Sequence, residues 1–300
     1  MNNYDTIIIG AGPAGLTAAI YLLRASKKVL IIEKESIGGQ ISSSPLVENY
    51  PGFIKISGSE LSNNLFEQVT NLNGEFTIEE VKKITKDKKV ITDETTYQAK
   101  SIIIATGCKH RRLNIENEED LIGNGVHFCV SCDGAFYKDK TVVVVGGGNS
   151  AIINALSLSD ICKKVYIIQN LDYLTAEKKL IEQLDNKNNI EIILSSILTK
   201  YHTSNEELTK VTIKTKEEEK EIKTDGVFLS IGLIPANEIF KNIITLDKYG
   251  YIESENMKTN IEGIFVAGDC RTKSVRQVTT ATSDGTIAAI NAITYLNNKA

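Results

Sequence analysis

Tryptophan is absent from this sequence of 300 residues, and only four prolines and two methionines occur in it. So few prolines exclude a proline-rich linker or a low-complexity tail. Basic residues number 34 against 38 acidic ones, so the chain lacks the basic excess that nucleic-acid-binding proteins use. We therefore expect no nucleic acid partner.

Long hydrophobic runs are also missing. No stretch approaches the roughly 18 consecutive apolar residues that a membrane-spanning helix needs, so we expect no membrane association. The start, Met1–Asp5, has no positive side chain and does not resemble a signal peptide. An odd number of cysteines without an export signal indicates a cytoplasmic protein, where a close cysteine pair is more often catalytic than structural.

Two segments of the chain begin in the same way. The first places a buried-strand pattern, Asp5–Ile9, before the glycine-rich turn Gly10–Gly15 and a helical stretch that runs to about Arg24. The second places Thr141–Val145 before the turn Gly146–Ala151 and another helical stretch. Strand, glycine turn and helix in this order are typical of dinucleotide-binding domains, where the turn and the helix N-terminus face the pyrophosphate.

An acidic residue distinguishes the two segments. Glu33 ends the second strand of the first segment, close to the spacing of about 20 residues at which a carboxylate meets the adenosine ribose. Gln169 occupies the matching place after Gly146 and lacks the acceptor strength of a carboxylate. The first segment therefore predicts a nucleotide site. For the second, a glycine turn that binds no nucleotide is a serious alternative.

The predicted fold class is α/β, with two doubly wound Rossmann-like domains of the FAD/NAD(P)-binding type. Further buried-strand patterns occur at Ser101–Ala105, Val227–Gly232 and Ile264–Asp269. Because strand patterns flank the second segment on both sides, we expect its domain to be inserted into the first. The first dinucleotide-binding domain is predicted to comprise residues 1–111 and 241–300, and the inserted domain, which carries a cysteine pair, is predicted to comprise residues 112–240.

The cysteine pair Cys129 and Cys132 lies just before the second glycine turn. Two intervening residues allow a small-ring disulfide, and such pairs are redox-active. No second pair supplies further metal ligands, so a redox role is favoured over a metal site. The other cysteines are isolated in the sequence and are each expected to be a small core or near-surface residue rather than a redox partner: Cys108, Cys162 and Cys270.

Two residues near the pair are candidates for proton transfer. Asp133 follows Cys132 directly and is a candidate acid–base group, since thiol–disulfide exchange must protonate a leaving thiolate. A fully solvated carboxyl group ionises at too low a pH for this task, so Asp133 must be partly buried. His127 is a rival candidate, although a lone histidine is more often structural.

With these residues assembled, nearly the whole chain resembles a low-molecular-weight thioredoxin reductase. The resemblance rests on an ordered set of motifs: Gly10–Gly15, Gly38-Gly39-Gln40, Asn49-Tyr50-Pro51-Gly52, Ala105-Thr106-Gly107, Cys129–Gly134, Gly146–Ala151, Gly268-Asp269 and Arg276-Gln277-Val278.

The resemblance implies an FAD cofactor. The glycine turn would contact the pyrophosphate, Glu33 the ribose, Asp269 the ribitol, and the backbone of Gln277 and Val278 the pyrimidine edge of the flavin. The residues expected to bind FAD are Gly10, Gly12, Pro13, Ala14, Gly15, Glu33, Gly39, Gln40, Asn49, Thr106, Gly107, Gly268, Asp269, Gln277 and Val278.

The resemblance also implies the roles in catalysis. Cys132 would face the flavin, Cys129 would attack the disulfide of thioredoxin, and Asp133 would be the acid. Members of this family are homodimers, and their smaller domain rotates to expose the dithiol to thioredoxin.

The sequence departs from the family at the place where NADPH binds. Ile153-Asn154 replace two glutamates, Gln169-Asn170-Leu171 replace a His-Arg-Arg cluster, and Thr175 replaces a further arginine. The chain is in this respect similar to the ferredoxin-dependent flavin thioredoxin reductases, in which reduced ferredoxin supplies the electrons. An acidic ferredoxin needs a basic surface, for which the candidates are Lys109, Arg111, Arg112, Arg271, Lys273 and Arg276.

Several alternatives remain at the level of sequence. An NADPH- or NADH-dependent reductase with an atypical nucleotide site is the nearest, and flavodoxin could replace ferredoxin as the donor. A ferredoxin–NADP reductase of related fold is disfavoured, because it needs a nucleotide site and no cysteine pair. A flavin-bearing redox sensor without turnover is the alternative outside enzyme chemistry.

Overall fold

The chain forms two compact units in the computed structural model, which describes residues 3–44, 46–216 and 218–299. One unit comprises Met1–Lys109 together with Ile234–Ala300, and the other comprises His110–Leu233. The predicted boundaries, after residues 111 and 240, lie slightly further along the chain than the observed ones.

Strands alternate with helices at the start of each unit, and each unit also contains a run of consecutive strands. The strands are β1 (Asn3–Ile9), β2 (Val29–Glu33), β3 (Glu75–Ile78), β4 (Val81–Ile84), β5 (Lys89–Thr92), β6 (Thr96–Ile104), β7 (Cys108–His110), β8 (Val126–His127), β9 (Thr141–Val145), β10 (Lys164–Ile168), β11 (Ile190–Ile193), β12 (Ile197–Ser204), β13 (Glu207–Lys214), β14 (Glu219–Lys223), β15 (Gly226–Leu229), β16 (Leu233–Pro235) and β17 (Ile264–Val266). The α-helices are α1 (Pro13–Arg24), α2 (Gly58–Asn71), α3 (Glu118–Leu121), α4 (Val130–Asp133), α5 (Asn149–Ser159), α6 (Lys178–Ile181) and α7 (Val278–Lys299). Short 3-10 helices span Gly39–Ser43, Gly134–Tyr137, Leu184–Asn186, Glu238–Phe240 and Gly268–Cys270.

The first unit is built on a sheet in the order β3-β2-β1-β6-β5-β4, with β17 paired to β6. Strands β3, β2, β1, β6 and β17 run parallel, so their carboxyl ends share one edge. Alternate residues of β1 face opposite sides: Ile8 belongs to the core that includes α1 and α7, and Ile7 belongs to the core on the other side. Both faces of these strands are therefore covered, as in a doubly wound fold.

The second unit repeats this plan in smaller form. Its parallel sheet has the order β11-β10-β9-β15-β8, and a separate antiparallel sheet has the order β12-β13-β14. Val142 packs in the core with α5, whereas Val143 packs in the core with residues of the antiparallel sheet. The predicted α/β fold class with two Rossmann-like domains is confirmed.

Among the described residues, none of the helices combines the length and the apolar character that a membrane span requires.

Candidate functional site

The first glycine turn lies at the carboxyl end of β1. Gly10 has φ +109°, and a Cβ atom there would lie 2.3 Å from the carbonyl oxygen of Ala105. A Cβ at Gly15 would lie 1.9 Å from the oxygen of Gly10. At Gly12, in contrast, the nearest atom to a Cβ is the oxygen of Gly38 at 4.0 Å. Close backbone contacts within the protein therefore require glycine at positions 10 and 15. The space beside Gly12 is open to a ligand.

Pro13, Ala14 and Gly15 form the first turn of α1, which has proline at its start and no acidic residue in that turn. This leaves the positive end of the helix dipole available to an anion. Glu33, at the end of β2, lies beside the turn, and its Oε2 accepts a hydrogen bond of 2.8 Å from the backbone N–H of Ala11. Gly39 approaches Gly12, since a Cβ on Gly39 would lie 3.4 Å from the Gly12 Cα atom.

Asp269 follows β17 in the 3-10 helix Gly268–Cys270. Gly268 lies against the start of α1, because a Cβ there would be 2.9 Å from the Cβ of Ala14. The Oδ1 atom of Asp269 is buried and has no hydrogen-bond partner among the described residues. A buried carboxylate oxygen without a donor is costly, and a ligand hydroxyl group would satisfy it.

The remaining predicted cofactor residues of this unit occupy two places. Thr106 and Gly107 follow β6 at the same sheet edge, and the hydroxyl group of Thr106 lies 3.2 Å from Oδ1 of Asn237. Nδ2 of Asn49 donates to Oε1 of Gln277 at 3.5 Å, Val278 begins α7, and Gln40 is an exposed residue of the 3-10 helix Gly39–Ser43.

Asn237 was missed by the sequence analysis. It is fully buried, and its Nδ2 donates to the carbonyl oxygens of Gly250 at 2.9 Å and Cys270 at 2.7 Å. The side chain thus ties three loops at this edge together. No motif marks it, because its partners are far from it in sequence.

These residues fit a flavin dinucleotide. The turn at Gly12 is open beside a helix N-terminus, as a pyrophosphate requires. Glu33 offers a carboxylate at a suitable place for a ribose, and Asp269 has a buried acceptor atom without a donor. The group of residues on the first unit is therefore chemically complementary to phosphates at one position and hydroxyl groups at two others.

Two of the basic residues proposed as a docking surface are not available for it. Lys273 donates to Oδ2 of Asp284 at 2.9 Å, and Arg271 pairs with the same oxygen at 3.5 Å. The side chains of all three residues are at most 14% exposed. The expectation that Arg271 and Lys273 contribute to a basic surface was wrong, because the buried carboxylate of Asp284 holds them.

Replacing Asp269 by asparagine should make the apoprotein more stable and bind FAD more weakly. Burial raises the pKa of Asp269 above its ordinary value, although Lys273 and Arg276 oppose the shift. The folded state then binds more protons than the unfolded state, so this residue lowers stability as pH rises above about 3.8. We expect the melting temperature of apo D269N to exceed that of the wild type at pH 7, and the difference to shrink as pH falls towards 4.

The matched control is Asp284→Asn, which should lower the melting temperature, because it removes the charge that pairs with the buried Lys273 at 2.9 Å and Arg271 at 3.5 Å and leaves Lys273 only Asp269 at 4.0 Å. For D269N, we expect the dissociation constant of FAD to rise about tenfold, since a neutral amide replaces a charged acceptor. Wild-type FAD affinity in D269N would contradict the assignment of Asp269 to the ligand.

The cysteine pair lies in the second unit. Cys129 and Cys132 form a disulfide with Cα atoms 5.3 Å apart, at the start and within the one-turn helix α4. Both are half-buried. The other cysteines are buried thiols, as expected: burial raises the pKa of Cys108 to about 12 and those of Cys162 and Cys270 to about 11. These three therefore remain protonated at neutral pH and are poor nucleophiles.

The two rival proton-transfer candidates are in contact with each other. Nδ1 of His127 lies 3.2 Å from Oδ2 of Asp133, and Nε2 of His127 lies 2.7 Å from the hydroxyl oxygen of Tyr137. The side chains of His127 and Asp133 are 5% and 13% exposed, so Asp133 has the partial burial that its predicted role requires. Tyr137 was missed by the sequence analysis.

The second glycine turn follows β9 with similar geometry. Gly146 has φ +127°, and a Cβ there would lie 2.5 Å from the oxygen of Ser230. Gln169 is buried, and a Cβ on Gly147 would lie 2.5 Å from its amide nitrogen. This amide donates to the carbonyl oxygen of Tyr173 at 3.3 Å. The side chain of Gln169 therefore packs on the turn and bonds to its own loop.

The segment that follows β10 beside this turn carries no cation, and several of its neighbours are exposed apolar side chains. Ile153 is 50% exposed, Leu171 39% and Tyr173 58%. No lysine or arginine occurs between Gln169 and Thr175. Asn154, in place of an acid, donates to the hydroxyl group of Ser230 at 2.9 Å. The second turn thus keeps the backbone of a nucleotide site without side chains that grip a 2′-phosphate.

Comparisons with known proteins agree on one family. The family described as pyridine nucleotide-disulphide oxidoreductase matches residues 4–285. The chain is 46% identical over 302 residues to the "34.2 kDa protein in rubredoxin operon" of Clostridium pasteurianum, with 98% of each chain covered. It is 42% identical over 292 residues to thioredoxin reductase of Bacillus subtilis, covering 95% of this chain and 92% of that one. The crystal structure of thioredoxin reductase from Streptococcus pyogenes matches with TM-score 0.94 and 38% identity, covering 99% of both chains.

Proposed function

Because the chain belongs to the pyridine nucleotide-disulphide oxidoreductase family, we propose that it is an FAD-dependent thioredoxin reductase whose electron donor is reduced ferredoxin. Two observations support the reductase chemistry: the Cys129–Cys132 disulfide, and identities of 40% or more to several proteins named thioredoxin reductase. The partner that accepts the electrons would be thioredoxin, and the working form a cytoplasmic homodimer.

FAD would be held by residues of the first unit. The turn Gly10–Gly15 would bind the pyrophosphate through backbone N–H groups, Glu33 the ribose, and Asp269 the ribitol. Gly39, Gln40, Asn49, Thr106, Gly107, Gly268, Gln277 and Val278 would complete the site. When bound, the flavin would accept electrons one at a time and pass them on in pairs. The buried Oδ1 of Asp269 and the open space at Gly12 support this assignment.

The cysteines would divide the exchange chemistry between them. Cys132 would receive the electron pair, and the sulfur of Cys129 would attack the disulfide of thioredoxin. Asp133 would supply the proton that a leaving thiolate takes up. The three remaining cysteines are buried thiols with raised pKa values, which supports the assignment of the chemistry to this pair alone.

A single observation carries the choice of donor: the second turn has no cation for the 2′-phosphate of NADPH, and Gln169 packs on Gly147. Hydrogen bonds to charged groups contribute about 1.5–3 kcal/mol each, so losing several of them weakens NADPH binding by orders of magnitude. NADH does not compensate, because Gln169 lacks the carboxylate that would accept from both ribose hydroxyl groups.

The test follows the flavin absorbance under anaerobic conditions while NADPH, NADH and reduced ferredoxin are added in turn. We expect reduced ferredoxin alone to bleach the flavin at a rate that supports turnover of thioredoxin. Rapid bleaching by NADPH would instead show an ordinary NADPH-dependent reductase. Bleaching by ferredoxin without reduction of thioredoxin would favour a flavin-bearing redox sensor.

A variant with the missing cations tests the physical reason. Asn170→Arg, Leu171→Arg and Thr175→Arg together place three guanidinium groups after β10. We expect this triple variant to gain a measurable response to NADPH while its response to ferredoxin remains. The matched control carries lysine-to-glutamine changes at the exposed Lys178 and Lys179, which should alter neither response.

A further inference from the structure

One side chain beside the disulfide is not used by the chemistry proposed above. His127 ends β8, two residues before Cys129, and its imidazole ring contacts Asp133, the residue after Cys132. The His127–Asp133 contact therefore joins the two ends of the segment that contains both cysteines. The backbone N–H of Asp133 also donates to the carbonyl oxygen of Cys129 at 3.0 Å. A buried imidazole is thus fixed to the carboxyl group next to the redox pair.

Tyr137 orients the other side of the ring. Its hydroxyl group lies 2.7 Å from Nε2 of His127, and burial raises the pKa of Tyr137 to about 12, with the charge of Asp133 adding to the shift. The hydroxyl group therefore stays protonated and can donate to Nε2. With Nε2 accepting, neutral His127 carries its proton on Nδ1, towards Asp133. A second proton at Nε2 converts the ring to imidazolium without breaking the contact with Asp133.

The surroundings of His127 contain few other charges. On its own strand its neighbour is Val126. From α4 it meets Asp133, from the 3-10 helix Tyr137, and from β15 the ring of Phe228, which stacks at 5.4 Å. Beyond this shell, Asp225 acts on Tyr137, and Lys140 lies 5.4 Å from the centre of the Tyr137 ring. Among the residues described above as direct contacts of His127, only Asp133 carries a charge.

We propose that His127 is a positioning residue that holds Asp133 in place and stores the proton which this carboxyl group exchanges with the dithiol. The proposal rests on the proposed disulfide exchange at Cys129 and Cys132. It resolves the difficulty that a carboxyl group alone ionises at too low a pH. The imidazole holds the proton beside the carboxyl group, and Asp133 transfers it.

The two protons of the enzyme dithiol end on the two sulfurs of the partner. Asp133 takes the proton from the attacking thiol of Cys129 and shares it with His127. Cys129 then bonds to one sulfur of the partner disulfide, the partner's S–S bond breaks, and the departing thiolate takes a proton from the pair. Cys132 repeats the sequence: its sulfur bonds to Cys129, the bond from Cys129 to the partner breaks, and the second partner sulfur is protonated. The enzyme dithiol becomes a disulfide, and the partner disulfide becomes a dithiol.

The experiment measures the alkylation rate of the reduced thiols in the full-length, FAD-bound protein, without thioredoxin or an electron donor. Dithiothreitol reduces the pair, and iodoacetamide traps Cys129 at pH 5 to 10. We expect His127→Gln to lower the rate about tenfold near pH 6.5 and less than twofold above pH 9, where the thiol ionises without a base.

The control is His202→Gln, the same change at another histidine of the second unit. His202 bonds to Thr212 at 2.7 Å, far along the chain from the cysteines, and its loss should leave the profile unchanged. A His127→Gln profile that matches the wild type within twofold would overturn the proposal. The alkylation assay contains no thioredoxin, so its result does not depend on whether thioredoxin is the substrate. Failure of the His127 proposal can therefore be distinguished from failure of the proposed function.

A second readout covers the case in which His127→Gln does not fold. Tyr137→Phe keeps the ring and removes only the hydroxyl group. The chain has three histidines, so a nitrogen-15 spectrum of the imidazole groups is simple to assign. We expect both the wild type and Tyr137→Phe to show the Nδ1-protonated form of His127, because the carboxylate of Asp133 accepts from Nδ1 in each. An Nε2-protonated His127 in the wild type would overturn the proposal. So would imidazole nitrogen chemical shifts that stay the same when the disulfide is reduced.

Discussion

Replacing Cys129 by serine should abolish the reduction of thioredoxin, by at least about a thousandfold, while the flavin is still reduced at the wild-type rate. A serine hydroxyl group is not ionised at neutral pH and cannot attack a disulfide, so transfer to the partner stops at this step. Replacing Cys132 by serine should also stop turnover, because no disulfide can then form within the enzyme. The measurements are thioredoxin turnover and, separately, the rate of flavin bleaching.

Cys162→Ala is the matched control. Cys162 belongs to the same unit, is buried, and its sulfur donates to the carbonyl oxygen of Tyr137 at 3.2 Å. Removing this thiol should leave both rates within about twofold of the wild type, since the redox pair is intact. Thioredoxin turnover in Cys129→Ser at the wild-type rate would contradict the assignment of the attacking sulfur. FAD retained in both serine variants with turnover lost in both is the result expected for a catalyst.

Adding a methyl group to two glycines of the first turn should have different effects: Gly12→Ala should weaken FAD binding, whereas Gly10→Ala should lower the stability of the apoprotein. Gly12→Ala places the methyl group in open space, so the apoprotein should keep its stability within about 1 kcal/mol. The same methyl group occupies the place where a pyrophosphate must approach the backbone. We expect the dissociation constant of FAD to rise at least about a hundredfold, equivalent to about 2.8 kcal/mol, measured by flavin fluorescence on reconstitution.

Gly10→Ala should destabilise the protein itself. Its φ of +109° disfavours any residue with a side chain, and the added atom would lie 2.3 Å from a backbone oxygen. We expect a loss of more than about 2 kcal/mol in the free energy of unfolding of the apoprotein. Gly148→Ala is the matched control, since Gly148 precedes α5 with the extended backbone that Gly12 has before α1. The FAD affinity of Gly148→Ala should equal that of the wild type. A hundredfold loss of affinity in this variant would indicate that the flavin binds to the second unit instead of the first.

Local patterns were sufficient to predict the elements around both turns. Strand β9 has the predicted bounds, and helix α1 ends at Arg24 as expected. These predictions succeed because each depends on neighbours in sequence: runs of β-branched residues, then glycines that permit a tight turn, then helical periodicity. The bounds of β6 were less accurate. It begins at Thr96, earlier than the predicted Ser101, because pairing with the antiparallel β5 extends it through residues of alternating burial.

Side-chain roles followed local patterns less well. Arg271 and Lys273 look like surface cations in a sequence, and only the approach of Asp284 from α7 shows that they form a buried ion-pair cluster. Gln169 was identified as a lost ribose contact, but its packing on Gly147 depends on the return of the chain after β10. Burial and charge pairing depend on contacts between residues that are distant in sequence. The spacing of residues along the chain therefore does not reveal them.

Residue type at short spacing was sufficient to predict the two glycine turns, the redox cysteine pair, the carboxylate at Glu33 and the absence of cations at the second turn. The folded chain was needed to show that His127, Asp133 and Tyr137 form one hydrogen-bonded group. It also showed that Asn237 joins three loops and that Asp269 has a buried oxygen without a hydrogen-bond donor. Asn237 and Asp269 gain their surroundings because the carboxyl ends of parallel strands meet at one edge of a sheet. The His127 group forms because a strand, a one-turn helix and a 3-10 helix fold one short segment back on itself.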